Sequence, residues 1–262
     1  MSEKNVSETL TDTKVLIKMG RNWNIACFLC VILLKNNLVV AGSRFRIFGG
    51  NLARIEDHPW IVSLVIPGFG HNCGGSLINE DTVLTAAHCV RGVESISVVA
   101  GTSRWADSGN TIGVKNISIH EKYASDGHTA VNDIAIIKLA EKVKYSEKIK
   151  PINLPEQGLK LTEGTSLVVA GWGKTAPEES SSEFLLETEV TVSKCECDDI
   201  IIAGEKYSGI CRGDSGGPLE LGDTIVGIVS AAAPCKITNI PAEYMNVAYF
   251  RTWIEKTLNA LS

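Results

Sequence analysis

Apolar residues along this chain come in short runs that glycine-rich or polar stretches separate. Positions 60–66, 134–139, 166–170 and 224–230 are such runs, each of strand length and most of them rich in valine and isoleucine, which predicts β-strands joined by turns. Near the C-terminus the period changes. Val247, Phe250, Ile254, Leu258 and Leu261 recur at helical spacing, so a helix over 247–261 would lay one apolar face on the strands. The pattern reads as an all-β chain with one C-terminal helix. At 262 residues with five tryptophans, the chain can fill one large domain or two small packed barrels.

The first 46 residues have a different character. Lys18 and Arg21 precede the apolar run 25–34, which is too short for a membrane-spanning helix of roughly 20 residues. Val39, Val40 and Ala41 before Gly42 supply small residues suited to signal peptidase. Met19 then reads as the start of a signal peptide covering about 19–41, and 1–18 as an upstream extension or the tail of an uncleaved anchor. We read the chain as cleaved and secreted to an extracellular setting, with membrane anchoring by the same segment as the alternative. Removing 1–46 takes away seven basic and three acidic side chains and lowers the net charge of −5 by a further 4, to about −9. That balance argues against a nucleic-acid partner. Much of the acidity lies over 178–199 and reads as a solvated face. Six cysteines remain after the leader, an even number that suits an oxidising compartment but does not give connectivity.

Candidate chemistry sits in three segments. Cys211-Arg212-Gly213-Asp214-Ser215-Gly216-Gly217-Pro218 sets a serine among glycines whose backbone can turn N–H groups toward one point, as acyl transfer requires. Taken alone the run is also ordinary turn composition. His88, in Thr85-Ala86-Ala87-His88-Cys89, ends an apolar strand-like run and is a candidate general base. Asp133 stands immediately before the apolar run 134–139, where a carboxylate could orient the imidazole. Either alone reads equally as a structural histidine or a turn aspartate; with Ser215 they form a set with chemical meaning.

With these segments, Cys73-Gly74-Gly75-Ser76-Leu77-Ile78 and Gly171-Trp172-Gly173, the chain resembles the trypsin and chymotrypsin type serine proteases from about Ile47 to the C-terminus, as a divergent member with an elastase-like pocket. The resemblance implies a chymotrypsin-like fold of two packed six-stranded antiparallel Greek-key barrels, about 47–150 and 151–262, split near Lys150 to Leu154. It implies that Ser215 attacks the scissile carbonyl, His88 shuttles the proton, Asp133 holds the histidine tautomer, and the N–H groups of Gly213 and Ser215 form the oxyanion hole. It implies disulfides Cys73 with Cys89 and Cys211 with Cys235, and leaves Cys195 and Cys197 unmatched.

Residues 42–46 would form a short activation segment. Cleavage after Arg46 would free the amino group of Ile47 to pair with Asp214, and His71 falls where the family keeps a histidine that holds this aspartate beforehand. Phe48 replaces the usual valine. The residue matched to the base of the substrate pocket is Gly209, where trypsins carry aspartate, so basic side chains lose their counter-charge. Ser230 and Ala232 on one wall and Ala242 on the other would narrow the pocket toward small or medium apolar side chains, and Ala231 replaces a tryptophan. A one-residue slip of that alignment would instead bring in Glu243. Asn116-Ile117-Ser118 is a glycosylation sequon. No cofactor and no metal is expected, since the loop that holds calcium in some relatives offers only Asp107 here. The partners implied are protein or peptide substrates, an activating trypsin-like protease and protein inhibitors of a monomeric enzyme. The alternative reading is a catalytically weak, protease-like binding or regulatory protein.

Overall fold

The computed structural model describes residues 50–107, 110–127, 129–175, 180–193, 197–204, 210–231 and 241–261. The leader, Arg46, Ile47, Phe48, Cys195, Gly209, Ala232 and Cys235 lie outside the described residues.

Strands β2 (Ile61–Ile66), β3 (Gly70–Asn79), β4 (Thr82–Thr85), β5 (Ser97–Ala100), β6 (Thr111–Ile119) and β9 (Ala135–Leu139) close into a barrel in the order β2-β3-β4-β9-β6-β5. Every neighbouring pair in this barrel is antiparallel. Closure removes the sheet edges, and Ile61, Leu64, Leu77, Leu84, Ile136 and Ile137 are fully buried on one face of the barrel wall or the other, which is why these runs read as nearly continuous apolar stretches. A two-strand hairpin, β7 (Ala124–Ser125) with β8 (Ala130–Val131), stands on the segment that leads into Asp133.

The second half of the chain contributes β10 (Ser166–Gly171), β11 (Leu186–Thr191), β12 (Ile200–Ala203), β13 (Pro218–Leu221), β14 (Thr224–Ala231) and β15 (Ala242–Asn246). With β1 (Asn51–Leu52) they form a sheet in the order β1-β11-β10-β13-β14-β15-β12. The two-barrel expectation holds with one difference. Among the described residues the second ring is joined between β11 and β12 by an isolated bridge, Val192 with Ala203, supported by Ser193 N–H on the Ile202 carbonyl and Gly204 N–H on the Thr191 carbonyl. β1 lies outside that ring, pinned to β11 by Asn51 opposite Glu187 and Leu52 opposite Leu186. Asn51 and Leu52 are therefore fastened to the second sheet before the chain enters the first barrel.

Helix α1 (Val247–Leu261) occupies the segment its periodicity predicts, and buries Val247, Ala248, Phe250 and Ile254. No helix among the described residues is long and apolar enough to cross a membrane.

A buried polar cluster ties the two halves together. His58, 4% exposed, precedes β2. Its Nδ1 meets Glu220 Oε2 of β13 at 2.9 Å and its Nε2 meets Glu187 Oε2 of β11 at 2.7 Å. Trp60 Nε1–H donates to the other Glu220 oxygen at 2.7 Å. Burial alone would push the imidazole pKa down, but Glu220 and then Glu187 outweigh it and raise it to about 9. His58 is thus an imidazolium at neutral pH, a charge buried with its partners.

Candidate active site

His88 sits in a short 3-10 turn, Ala87–Cys89, that directly follows β4. β4 is paired with β9, Thr85 opposite Ala135, so the turn lies beside the residues that enter β9. Asp133 is one of them and is fully buried. Its Oδ1 accepts the main-chain N–H of His88 at 2.8 Å, and its Oδ2 meets His88 Nδ1 at 2.6 Å. Ser230, at the end of β14, adds a third donor through its hydroxyl at 2.7 Å. Burial alone would raise the Asp133 pKa, but His88 and then Ser230 outweigh it and hold the carboxyl below its ordinary range. Asp133 is therefore a carboxylate, which requires His88 to carry its proton on Nδ1 and leaves Nε2 as the basic nitrogen. The His88 side chain is 32% exposed, open to an incoming molecule.

The Cys73–Cys89 disulfide forms as the resemblance implies and joins β3 to the histidine turn. His88 lies close enough to both sulfurs for the three to count as a ligand cluster, but the bonded sulfurs offer no thiolate to a metal.

The loop holding Ser215 is shaped from several directions. The Ser215 carbonyl accepts Gly74 N–H of β3 at 2.8 Å, and Gly216 N–H donates to the Val229 carbonyl at 2.8 Å. A side chain at Gly216 would collide with Thr85 Oγ1 and would sit 3.2 Å from Ala86 N. Glycine there lets the serine loop lie directly against the strand that delivers His88. Ser215 Oγ makes no hydrogen bond to His88 Nε2 in this structure, where Nε2 lies 3.6 Å from Cys89 Sγ; the serine loop meets the histidine strand through Gly216. Side-chain bonds of this kind often tighten only once substrate is bound.

Gly213 adopts φ +106°, a value side-chain-bearing residues avoid. The Arg212 carbonyl accepts Lys174 N–H at 2.9 Å. In a trans peptide the N–H points away from the carbonyl, so Gly213 N–H is turned from Lys174. Among the described residues no acceptor meets Gly213 N–H or Ser215 N–H. Both donors stand unengaged on the loop that carries the Ser215 hydroxyl.

Asp214 is completely buried. Its Oδ1 accepts Gly173 N–H at 2.8 Å and its Oδ2 accepts Cys211 N–H at 2.9 Å. Burial, only partly offset by these two donors, raises its pKa to about 6. His71 does not hold this carboxylate here. Its Nε2 lies 2.9 Å from the Gly213 carbonyl and its Nδ1 lies 2.7 Å from Ser63 Oγ. Burial lowers its pKa to about 4, so the neutral ring donates from Nε2 to the carbonyl and accepts the serine hydroxyl at Nδ1. His71 is thus a brace on the Gly213 loop.

The pocket residues are only partly described. Ala242 pairs with Ala203, and Glu243 with Ile202. Ala242 and Tyr244 are buried on one face of β15, and Glu243 is half-buried on the other, beside the buried Met245. Tyr244 is fully buried with no hydrogen-bond partner for its hydroxyl among the described residues; burial, and after it the charge of Asp214, push its pKa up. Cys211 is disulfide-bonded, whereas Cys235 is outside the described residues. Asn116 is exposed on β6, and Asp107 is paired with Arg104 at 3.7 Å.

Sequence reasoning missed the Ser230 hydroxyl on Asp133, the Ser63–His71 brace and the His58 cluster. No local pattern marks them: the Ser230 and His58 partners lie about a hundred or more residues away, and Ser63 meets His71 only because β2 pairs with β3.

Comparison with known proteins agrees with this geometry. The family model described as Trypsin matches residues 47–254. The chain is 39% identical to "Trypsin 5G1" of Aedes aegypti over 226 residues, which is 80% of this chain and 84% of the relative. It is 38% identical to "Trypsin theta" of Drosophila melanogaster, covering 80% of this chain and 85% of the relative. To "Trypsin alpha" of the same fly it is 34% identical, covering 82% and 89%. These matches do not favour the reading as a protease-like binding protein. With a barrel pair, a carboxylate-held imidazole and a serine loop of this form, the chain belongs to the trypsin family and is a serine endopeptidase.

Proposed function

We propose that Ser215 is the nucleophile, His88 its general base and Asp133 the group that fixes the imidazole, in a secreted, monomeric endopeptidase made as a zymogen. One observation carries this reading: Asp133 grips both the main-chain N–H and Nδ1 of His88, so the ring can present only Nε2 toward the serine loop. Ser215 Oγ would attack the scissile carbonyl as His88 Nε2 takes its proton, and Gly213 N–H and Ser215 N–H would hold the resulting oxyanion. His88 then returns the proton to the leaving amine. A water activated by the same nitrogen releases the acyl group from Ser215.

Activation follows from Asp214. A buried carboxyl raised to about 6 by burial favours a cation beside it. Cleavage after Arg46 by a trypsin-like protease would supply one, the new ammonium of Ile47, and fix the neighbouring Gly213 loop. The β1 pairing on β11, four residues past Ile47, supports delivery of that terminus to the second sheet.

The pocket reading rests on Gly209, Ser230, Ala232 and Ala242. With glycine at the base no acid awaits lysine or arginine, and methyl groups on both walls favour small or medium apolar side chains, by about 1 to 3 kcal/mol per methylene. The buried position of Ala242 supports this. The exposed Asn116 would carry a glycan, and protein inhibitors would enter the same cleft as substrates.

Fluorophosphonate labelling before and after tryptic cleavage tests the reading. The label should appear on Ser215 only after cleavage following Arg46. Labelling of the uncut chain would refute the zymogen, and an unlabelled processed chain would refute the nucleophile. Efficient cutting after lysine or arginine would refute the pocket.

A further inference from the structure

Gly213 is held from two sides, and one side chain stands behind both holds. The peptide before it is fixed by Lys174, whose N–H donates to the Arg212 carbonyl at 2.9 Å. The peptide after it is fixed by His71, whose Nε2 donates to the Gly213 carbonyl at 2.9 Å. Glycine sets neither plane by itself, because both signs of φ are open to it. The direction of its N–H is therefore decided by these partners.

Lys174 is steered by the segment it lies in. It bridges to Ser181, and Ser182 N–H donates to the Gly173 carbonyl at 3.2 Å, so 173–175 and 180–182 run side by side. This pair lies against the serine loop: Ser181 Oγ is 3.2 Å from where a Cβ on Gly213 would stand. Trp105, half-buried on the first-barrel loop between β5 and β6, grips it, donating Nε1–H to the Ser182 carbonyl at 2.9 Å. The same ring lies 6.2 Å from that of His71, and Gly70 backs onto it so closely that an added Cβ would come within 2.9 Å of Cη2. The loop under the indole is anchored too. The Ser103 carbonyl accepts Leu185 N–H at 2.7 Å and Trp172 Nε1–H at 3.1 Å. Trp105 thus lies beside the His71 brace with its ring and holds the Lys174 segment with its N–H. Arg104, next to it, is exposed and pairs with Glu183 and Asp107, contacts that water screens.

We propose that Trp105 is a positioning residue for the oxyanion pocket: by holding Ser182 it keeps Lys174 on the Arg212 carbonyl, and so keeps Gly213 N–H turned toward the oxygen of the reacting carbonyl. The proposal rests on Ser215 as the nucleophile and Gly213 N–H as a donor, and it is independent of the residues that set substrate preference. A loop that turns its N–H away in most molecules lowers kcat by the fraction lost, while KM, set by a cleft that both states share, stays in place.

The test uses the processed enzyme, with active sites counted by fluorophosphonate labelling carried to completion. Trp105→Phe keeps the ring and removes the N–H. Per labelled site its kcat should fall about tenfold, with KM within about twofold of the wild type. A peptidyl trifluoromethyl ketone, whose carbonyl carbon bonds to Ser215 Oγ and whose oxygen becomes an oxyanion, should bind about tenfold more weakly. Binding of the cleaved product peptide, which carries no such oxyanion, should not change. Arg104→Ala, on the same loop, should leave kcat within about twofold. A Trp105→Phe enzyme with unchanged kcat per labelled site, a loss carried by KM, or ketone binding that holds while kcat falls overturns the role of Trp105. An equal loss in Arg104→Ala also overturns it, because the loop as a whole would then act and not the indole N–H. If the wild type goes unlabelled and cuts nothing, the nucleophile reading falls and this proposal with it.

Discussion

At His58 both ring nitrogens meet carboxylate oxygens and the side chain is sealed between the two halves of the protein. At His88 only Nδ1 meets a carboxylate, and a third of the side chain faces solvent. The same imidazole thus serves two ends. Closed on both sides it is a fixed cation that fastens strands; left open on one side, it has a nitrogen that can take up and release a proton. His71 is a third case. It is as buried as His58, but its partners are a hydroxyl and a carbonyl, and burial then lowers its pKa to about 4. The partners, and not burial, decide which buried ring carries charge.

The largest effect expected from this comparison comes at the open ring. Asp133→Asn keeps the shape but removes the charge that fixes the His88 tautomer, and kcat should fall about 10⁴-fold with a small change in KM. A fall of less than tenfold, measured on the processed enzyme, would place the proton transfer elsewhere. At the closed ring the loss should appear in stability. His58→Leu leaves Glu220 buried with only the Trp60 N–H, at a cost of about 3 kcal/mol and roughly 10 °C in Tm. Residual kcat near the wild-type value would separate the two rings cleanly. Adding Glu220→Gln to His58→Leu should recover most of the loss, because the uncompensated charge is then gone.

The pH dependence sharpens the same contrast. The folded pKa of His58, about 9, lies above its ordinary value of 6.5. Its contribution, about 3 kcal/mol, is fully present below pH 6.5 and is lost as pH rises through 9. In the acid range the groups oppose one another. His71, lowered to about 4, withdraws stability as pH falls from 6.5 toward 4, and Asp133, held below its ordinary value, withdraws it at still lower pH, whereas Asp214, raised to about 6, adds it as pH falls from 6 toward 3.8. Thermal melts should therefore show a fall on the alkaline side that His58→Leu flattens. An alkaline fall of the same size in that variant would remove His58 as its cause.

The elements that could be read in advance are those whose own residues carry the signal. The runs at 60–66, 134–139, 166–170 and 224–230 became β2, β9, β10 and β14 within a residue, because strands that bury most of their side chains must be apolar whatever their neighbours. The 247–261 periodicity became α1 over the same span. β1 gave no warning. Asn51 and Leu52 are exposed, have no period, and are a strand only because Glu187 and Leu186 pair with them. The same division holds at the site. His88, Asp133 and Ser215 stand in segments with local character, but His71 reaches Gly213 across 142 residues and His58 reaches Glu187 and Glu220 across 129 and 162. The Ser230 hydroxyl finds Asp133 across 97 residues. A sequence can advertise a reactive side chain locally, while its support is a property of the closed fold.

That support is testable through the two serines behind the histidines. Ser230→Ala removes one of the three donors to Asp133. A hydrogen bond to a charged group is worth about 1.5 to 3 kcal/mol, and the two His88 donors remain, so the loss should lie at the lower end. A decrease of roughly tenfold in kcat/KM is expected, carried mainly by kcat. Ser63→Ala takes a hydroxyl from the neutral His71, where a bond between uncharged groups contributes about 1 kcal/mol. It should lower Tm by roughly 3 °C and change kcat less than Ser230→Ala does. If Ser63→Ala lowers kcat tenfold and Ser230→Ala does not, the brace on Gly213 governs the chemistry more than the donor on Asp133, and the division between the open and closed rings fails.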